Sequence, residues 1–260
     1  MNIIFIKIKN LLCNLYRYRL KAVKNYYRKI RFSLNKFKKN PKIFIIGANK
    51  TGTTSMRELF REMNFNVAPQ EYQEKYFDGI MRNSTGEKKK YFDEQIKFFV
   101  DKYQVFQDMP FSIKNFYKEI NRLYPKSFYI LLNRDPDQWY ISFLNALIKY
   151  TNSKDLKNLD FKKLKNNSYV RKGYLYDNMI NAYFENINLE EINEKIKAKN
   201  FVISIFKKRN DDIKEFFKNS KNFIEINIKQ EKDNSKIIKF LNLGKKYLNV
   251  IPHMNKTKKT

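Results

Sequence analysis

The sequence has little of the side-chain chemistry from which disulfide frameworks and transition-metal sites are built. Its 260 residues include a single cysteine, Cys13, and a single histidine, His253. One thiol excludes an internal disulfide framework and a zinc site with several thiolate ligands. One imidazole excludes a metal site with several histidine ligands. The sequence therefore predicts no metal site built on several cysteines or histidines.

Long apolar runs are also missing. A spanning helix needs about 18 consecutive apolar residues. The nearest candidate, residues 1–20, is interrupted by Lys7, Lys9, Arg17 and Arg19. It does not end in the small-residue site at which secretory signals are cleaved. We therefore expect a cytoplasmic protein, with attachment at the membrane surface as the only form of membrane contact.

Acidic residues are absent from the start of the chain, where the first one is Glu58. The whole chain carries 54 Lys and Arg against 26 Asp and Glu, a net charge of +28. Twelve of the basic residues lie in residues 1–40, which end before Pro41 and form a separate basic arm; residues 41–260 form the main domain. Such a charge favours polyanionic partners, although a lysine-rich composition throughout the chain explains it equally well.

The basic arm alternates aromatic and basic residues at near-helical spacing, as in "LLCNLYRYRLKAVKNYYRKIRFSLNKFKK". This pattern suits a helix that lies on an anionic membrane surface. It also suits an arm that packs on the body of the protein and keeps its charges in water. We favour the membrane surface as a partner over nucleic acid.

The rest of the chain alternates short apolar runs with helical patterns. Runs at 42–46, 103–107, 127–132 and 222–228 predict buried strands. Beyond Tyr150 the pattern is mostly helical. Strands that alternate with helices predict an α/β fold, with a central parallel sheet flanked by helices and a helix-rich C-terminal half.

A glycine loop follows the first predicted strand in "FIIGANKTGTTSMRELF". Gly47 and Gly52 have the spacing of the nucleotide-binding motif G-x-x-x-x-G-K-[ST], and Thr54 fills its last position. Thr53 stands where the motif has lysine, and the lysine, Lys50, lies inside the loop. The loop resembles a triphosphate site without being one.

The loop has the chemistry of an anion site. A loop between a strand and a helix offers backbone N–H groups and the positive end of the helix dipole, and Thr53 and Thr54 add hydroxyl donors. The earlier position of Lys50 directs it towards the leaving side of an anhydride shorter than a triphosphate. No predicted strand ends in a metal-holding aspartate. These features disfavour a kinase or an ATPase.

A second anion-binding pattern follows the third predicted strand. Arg134 comes directly after the apolar run, and Ser142 lies eight residues later on the next helix, for which Asp135 is the predicted N-cap. An arginine at the carboxyl end of a strand and a serine on the adjacent helix can bind one further phosphate. The inferred ligand therefore has two anionic ends.

The segments "KTGTTS" and "YPKSFYILLNRDPDQWYIS" together resemble sulfotransferases that use 3′-phosphoadenosine 5′-phosphosulfate (PAPS). The similarity is greatest to the bacterial-type, carbohydrate-modifying branch, which reads roughly "GxxRTGTTSL…DxP…YPxxKFILTxRDPxxWxxS". It extends from about Lys42 to Asn255. The resemblance implies a P-loop-containing three-layer sandwich, PAPS as the donor, its desulfated form PAP as a product, and no metal.

The resemblance also assigns residues to roles. A 5′-phosphosulfate loop is implied for Lys50, Thr51, Gly52, Thr53, Thr54 and Ser55. A 3′-phosphate pair is implied for Arg134 and Ser142. Lys50 would neutralise charge on the bridging oxygen as the sulfuryl group leaves.

The catalytic base is less clearly marked. "QDMP" places Asp108 where cytosolic sulfotransferases carry a catalytic histidine. A carboxylate can accept the acceptor's proton, although its ordinary pKa lies far below that of histidine. The alternative is that Asp108 caps the helix predicted to begin near Ile113 or sits in a local turn.

The expected function is transfer of a sulfuryl group from PAPS to a hydroxyl, less readily an amine, of a glycan, glycolipid or small molecule. Acceptor contacts are expected in residues 65–110 and 145–200, which carry no motif that names the acceptor. One alternative is a P-loop kinase for a small substrate. Another is a non-catalytic basic module that binds nucleic acid or anionic membrane.

Overall fold

The computed structural model describes residues 41–82, 89–113, 115–184, 189–231 and 233–252. The basic arm and His253 lie outside these residues. Within the part of the chain that the structure describes, no helix has the length and apolarity to cross a membrane.

In the described residues, four parallel strands form one central sheet in the order β2-β1-β3-β4. The strands are β1 (Ile43–Ile45), β2 (Val105–Gln107), β3 (Phe128–Leu132) and β4 (Phe223–Ile226). They are rich in apolar residues because both faces of a parallel sheet are covered. All four lie within the predicted runs, which confirms the α/β fold with a parallel sheet.

Helices connect the strands. The first five are α1 (Thr53–Glu62), α2 (Gln70–Arg82), α3 (Lys89–Val100), α4 (Phe116–Leu123) and α5 (Pro136–Thr151). The later ones are α6 (Phe161–Asn166), α7 (Tyr174–Tyr176), a π-helical turn (Asp177–Asn181), α8 (Leu189–Lys197), α9 (Lys199–Phe217), α10 (Ser235–Phe240) and a 3₁₀ turn (Lys245–Tyr247). The predicted helix-rich C-terminal half is confirmed.

Alternate residues of the strands pack on opposite faces of the sheet. Phe44 lies in an aromatic cluster with residues of α2, α3, α4 and α9. Ile45 faces the other side, where it packs against α1 and α10. The buried face of α1 carries Met56, Leu59 and Phe60, and Met63 directly after the helix is buried as well. The sheet is therefore the middle layer of three.

The helical C-terminal half has a core of its own around Trp139 on α5. Its indole is almost fully buried and stacks on Phe206 of α9, with the ring centroids 4.2 Å apart. The same indole donates a hydrogen bond to the backbone carbonyl of Asn49. This packing joins the helical core to the loop that follows β1.

The parallel register aligns the carboxyl ends of the strands. Ile45 at the end of β1 pairs with Gln107 of β2 and with Ile130 of β3, and Leu132 of β3 pairs with Ile226 of β4. The segments that follow all four strands therefore leave the sheet at one edge. In open α/β sheets this is the edge at which ligands bind.

Candidate active site

Two glycines shape the loop between β1 and α1, for different reasons. A Cβ on Gly47 would lie 2.5 Å from Cβ of Leu132, so the loop can cross β3 only with glycine at this position. Gly52 has a φ of 111°, in the left-handed region that favours glycine, and a Cβ there would lie 2.1 Å from Ile228. The sequence motif thus marks two real constraints on the backbone.

The centre of the loop is a tight turn. The N–H and the hydroxyl of Thr51 both donate to the carbonyl of Ala48, over 3.2 and 2.6 Å. Lys50 has a φ of 71°, which is uncommon for a residue with a side chain. Such strain persists where the surroundings enforce it, often at functional sites. Thr51 therefore holds the turn that presents Lys50.

Asn49 anchors this turn to three other parts of the structure. Its N–H donates to the hydroxyl of Tyr183, and its carbonyl accepts from the indole of Trp139. Its side-chain oxygen accepts from the hydroxyl of Ser112, over 2.7 Å. Because these contacts come from separate elements, the position of the neighbouring Lys50 is set by tertiary packing.

The start of α1 is open to an anion. Its N-cap residue is Gly52, so no side chain caps the helix. The first N–H groups of a helix have no partner within the helix, and the helix dipole favours negative charge there. Thr54 is partly exposed at this end, whereas Thr53 and Ser55 are buried.

Arg134 comes two residues after β3 and reaches back to the glycine loop. Its Nη1 donates to the carbonyl of Lys50 over 2.8 Å. Its Nε is buried and has no hydrogen-bond partner among the described residues. Burial lowers the pKa of the guanidinium from its ordinary value. Arg134 and Lys50 therefore lie next to each other in space, although 84 positions separate them.

The charges near the Lys50 amine are mostly positive. Burial lowers the pKa of Lys50, Asp108 raises it, and the positive charges of Lys149 and Arg134 lower it further. Close like charges destabilise each other and are relieved by a bound anion. The electrostatics of the site therefore suit a ligand with more than one negative charge.

Asp108 follows β2 directly and faces the start of α1. Its Oδ2 accepts hydrogen bonds from the hydroxyl of Thr53, at 3.1 Å, and from Nε2 of Gln70, at 3.3 Å. Burial raises its pKa, while the Thr53 contact and the Lys50 charge lower it. The next helix, α4, begins later than predicted and has Asn115 as its N-cap. The alternative role of Asp108 as the cap of that helix is therefore wrong.

Ser142 lies on α5, the helix that follows Arg134. Asp135 is the N-cap of this helix, as predicted, and its carboxylate accepts the N–H of Gln138 over 2.9 Å. Ser142 itself is partly exposed. Its contact with a phosphate stays a prediction.

The comparison with protein families agrees with this geometry. A family model described as a sulfotransferase domain matches residues 42–260. The chain belongs to the sulfotransferase family. The search of the curated proteins finds no match. The family match confirms the resemblance at the level of sulfuryl transfer and accounts for the fold.

Sequence reasoning missed a second carboxylate in this sulfotransferase. Glu74 on α2 is 3% exposed, and burial together with the charge of Asp108 raises its pKa to about 7. A signal was present: Glu74 precedes the buried Phe77 by three positions and so shares the inward face of its helix. Glu74 lies outside the two segments that resemble sulfotransferases, so the resemblance assigned it no role.

Lys229, in the segment after β4, was missed as well. Burial and the neighbouring charge of Arg134 lower its pKa, and Asp135 raises it. Because β4 lies beside β3, the two basic residues leave adjacent strands at the same edge. The only sequence signal was a lysine just beyond the last predicted strand.

The described residues of the sulfotransferase contain no group of three or more His, Cys, Asp or Glu side chains arranged to hold a metal ion. The acidic residues near the glycine loop are instead engaged with amide, hydroxyl and basic groups. The site is thus one of hydrogen-bond donors, cations and two carboxylates.

Proposed function

We propose that this sulfotransferase takes its sulfuryl group from PAPS and transfers it to a hydroxyl, less readily an amine, of a glycan, glycolipid or small molecule. One observation carries the proposal: the hydrogen bond from Arg134 to the carbonyl of Lys50. It joins the two anion-binding patterns of the sequence into one site. PAPS has an anionic group at each end of its ribose and requires such a pair.

The residues present fit this donor. Arg134 has a buried Nε without a partner, which an acceptor oxygen of a phosphate would satisfy. The start of α1 offers uncapped N–H groups, and Lys50 is held beside it. PAPS, when bound, supplies a sulfuryl group activated by its link to the 5′-phosphate.

We propose that two adjacent segments bind the 5′-phosphosulfate. The first is the loop with Lys50, Thr51 and Gly52, and the second is the start of α1 with Thr53, Thr54 and Ser55. Thr51 contributes through the shape of the turn, because its hydroxyl and its N–H are used by Ala48. At the 3′ end, we assign Arg134 and Ser142.

On the acceptor side, Asp108 takes the proton of the attacking hydroxyl. Its carboxylate lies close enough to Lys50 to influence the pKa of the amine. Lys50 therefore stabilises the negative charge that develops on the leaving oxygen, while Asp108 holds the proton. In an in-line displacement the attacking and departing oxygens lie on opposite sides of the sulfur atom, so Asp108 serves the attacking oxygen and Lys50 the departing one.

Transfer of labelled sulfate from PAPS to a panel of hydroxyl acceptors tests the proposal. Replacing Lys50 or Arg134 by alanine removes one charged contact with PAPS, and we expect each change to reduce kcat/KM at least 100-fold. Lys97→Ala and Arg82→Ala are matched controls, because both residues are exposed on α3 and α2. Undiminished transfer in both site variants would refute the assignment.

The basic arm, residues 1–40, is assigned to contact with an anionic membrane surface, so that the enzyme acts at the cytoplasmic face. The support is its charge and its aromatic spacing. The full chain should sediment with phosphatidylserine vesicles and not with phosphatidylcholine vesicles. Equal binding to both would contradict this part of the proposal.

A further inference from the structure

Gln70, at the start of α2, joins the two carboxylates of the site. Its Nε2 donates to Oε1 of Glu74 over 2.9 Å and to Oδ2 of Asp108 over 3.3 Å. One amide group carries two N–H donors, so both contacts can form at once. Glu74 and Asp108 are therefore linked through a single side chain.

Arg57 on α1 determines which way this amide points. Its Nη1 donates to Oε1 of Gln70 over 2.8 Å, and the amide oxygen therefore faces the guanidinium. The NH₂ group must then face the carboxylates. Arg57 is itself held by Glu58, whose carboxylate lies 2.9 Å from its Nε. The ion pair of Arg57 and Glu58 thus orients the Gln70 amide that bridges the two carboxylates.

Asp108 accepts more hydrogen bonds than Glu74 does. Asp108 accepts from Thr53 and Gln70, and the N–H of Met109 also lowers its pKa. Glu74 accepts from Gln70 at Oε1, whereas its Oε2 is buried and has no hydrogen-bond partner among the described residues. Donors favour the ionised form of an acid. Before the acceptor binds, a single proton held by the two groups therefore rests on Glu74, and Asp108 stays ionised.

Other titratable groups face Glu74 from the surrounding elements. Glu71 raises the pKa of Glu74 by charge, and the neighbouring Tyr169 lowers it. Glu74 in turn raises the pKa values of Tyr150 and Tyr174. These tyrosines are neutral near pH 7, so Asp108 is the charged neighbour with the largest influence on Glu74.

We propose that Glu74 and Asp108 act as one proton-accepting pair, bridged by Gln70, in which Glu74 is a positioning residue that makes the site basic enough to work at neutral pH. The part that this pair plays in catalysis rests on the proposed function. An isolated aspartate is a weak base, whereas a doubly ionised pair binds its first proton far more readily.

The proton balance of the step is simple. As the acceptor oxygen forms its bond to sulfur, its O–H bond breaks and the proton passes to the ionised pair. The bond between sulfur and the bridging oxygen breaks, and its electron pair stays on the 5′-phosphate beside Lys50. The pair returns its proton to water before the next turnover. Two carboxylates thus perform the task that histidine performs in the cytosolic branch.

The pH dependence of kcat/KM tests the pair. In the wild type, activity should rise with pH through about 7, as the pair loses its proton. Glu74→Gln leaves Asp108 without its charged neighbour, so the acid limb should move at least one pH unit lower, with a plateau about 10-fold lower because the remaining base is weaker. Glu71→Gln is the control: Glu71 is exposed on the same helix and raises the pKa of Glu74 less than Asp108 does, so this change should move the acid limb much less.

An acid limb that is unchanged in Glu74→Gln would overturn the proposal. Complete loss of activity in a folded Glu74→Gln variant would also overturn it, because Glu74 would then be the base itself.

A second measurement does not require turnover. NMR of the full chain with ¹³C-labelled carboxyl groups should show a resonance that titrates near pH 7, that is absent in Glu74→Gln and that titrates lower in Asp108→Asn. Titration of every carboxyl group in the ordinary acidic range would refute the pair. If the resonance titrates near pH 7 and no acceptor is sulfated, the pair stands and the proposed function fails.

Discussion

The guanidinium of Arg134 lies 2.8 Å from the backbone carbonyl of Lys50, and this hydrogen bond links the segment after β3 to the loop after β1. The strands β1 and β3 are neighbours in the sheet, which makes the contact possible. Nothing local in either segment requires it. The contact brings together a loop shaped for one anion and an arginine suited to another.

The shape of the Arg134 side chain should matter as well as its charge. Arg134→Lys keeps the charge but loses the planar fork that can serve Lys50 and a phosphate together. We expect the affinity for PAP, measured by calorimetry, to fall about 10- to 100-fold, in keeping with the loss of charge-assisted hydrogen bonds. Arg82→Lys on the exposed end of α2 should have no effect. An equal affinity in Arg134→Lys would argue against a direct contact.

Lys229 should strengthen binding of the 3′-phosphate. Its charge is coupled to that of Arg134, which makes an anion between the two favourable. Lys229→Ala should weaken PAP binding about 3- to 10-fold, with a smaller difference at high salt because of screening. Adenosine 5′-phosphosulfate, which has no 3′-phosphate, should bind the wild type and Lys229→Ala with equal affinity. A similar loss for both nucleotides would place Lys229 elsewhere.

The glycine loop should tolerate no side chain at Gly52. Gly52→Ala combines a left-handed φ with a contact of 2.1 Å to Ile228, so we expect destabilisation of about 2 kcal/mol or more in urea unfolding. Gly79 on α2 is the matched control, because a Cβ there meets nothing within 4 Å. Gly79→Ala should stabilise the protein by about 1 kcal/mol, the difference in helix propensity. Equal effects at the two positions would show that the loop is not strained.

Stability should fall as the pH rises through the titration of Glu74. Its pKa is raised from 4.5 in the unfolded chain to about 7 in the folded protein. Between these values the folded state binds more protons than the unfolded state, so the free energy of unfolding decreases with pH. The full effect is about 3 kcal/mol, at 1.36 kcal/mol per pH unit. Glu74→Gln should remove this dependence between pH 5 and pH 8, and Glu71→Gln should retain it. A wild-type profile without this decrease would contradict the raised pKa.

Local patterns were sufficient for much of the fold. The apolar runs predicted all four strands, since a strand covered on both faces must be apolar along its length. The loop after β1 was predicted from its two glycines, because each glycine meets a backbone constraint that any sequence with this turn must satisfy. Helix ends were less certain: α4 was expected near Ile113 and begins at Phe116, after turns closed by contacts such as that of Ile113 with Pro110.

The amino-acid sequence by itself determined which segments are strands, where the glycine loop lies and that this loop contains a lysine, because these depend on side chains a few positions apart. Only the tertiary structure decided that Glu74 lies beside Asp108 and that Lys229 lies near Arg134. The physical reason is that desolvation and charge coupling depend on distance in space. The spacing of residues along the chain does not show which two buried carboxylates will accept hydrogen bonds from the same side chain.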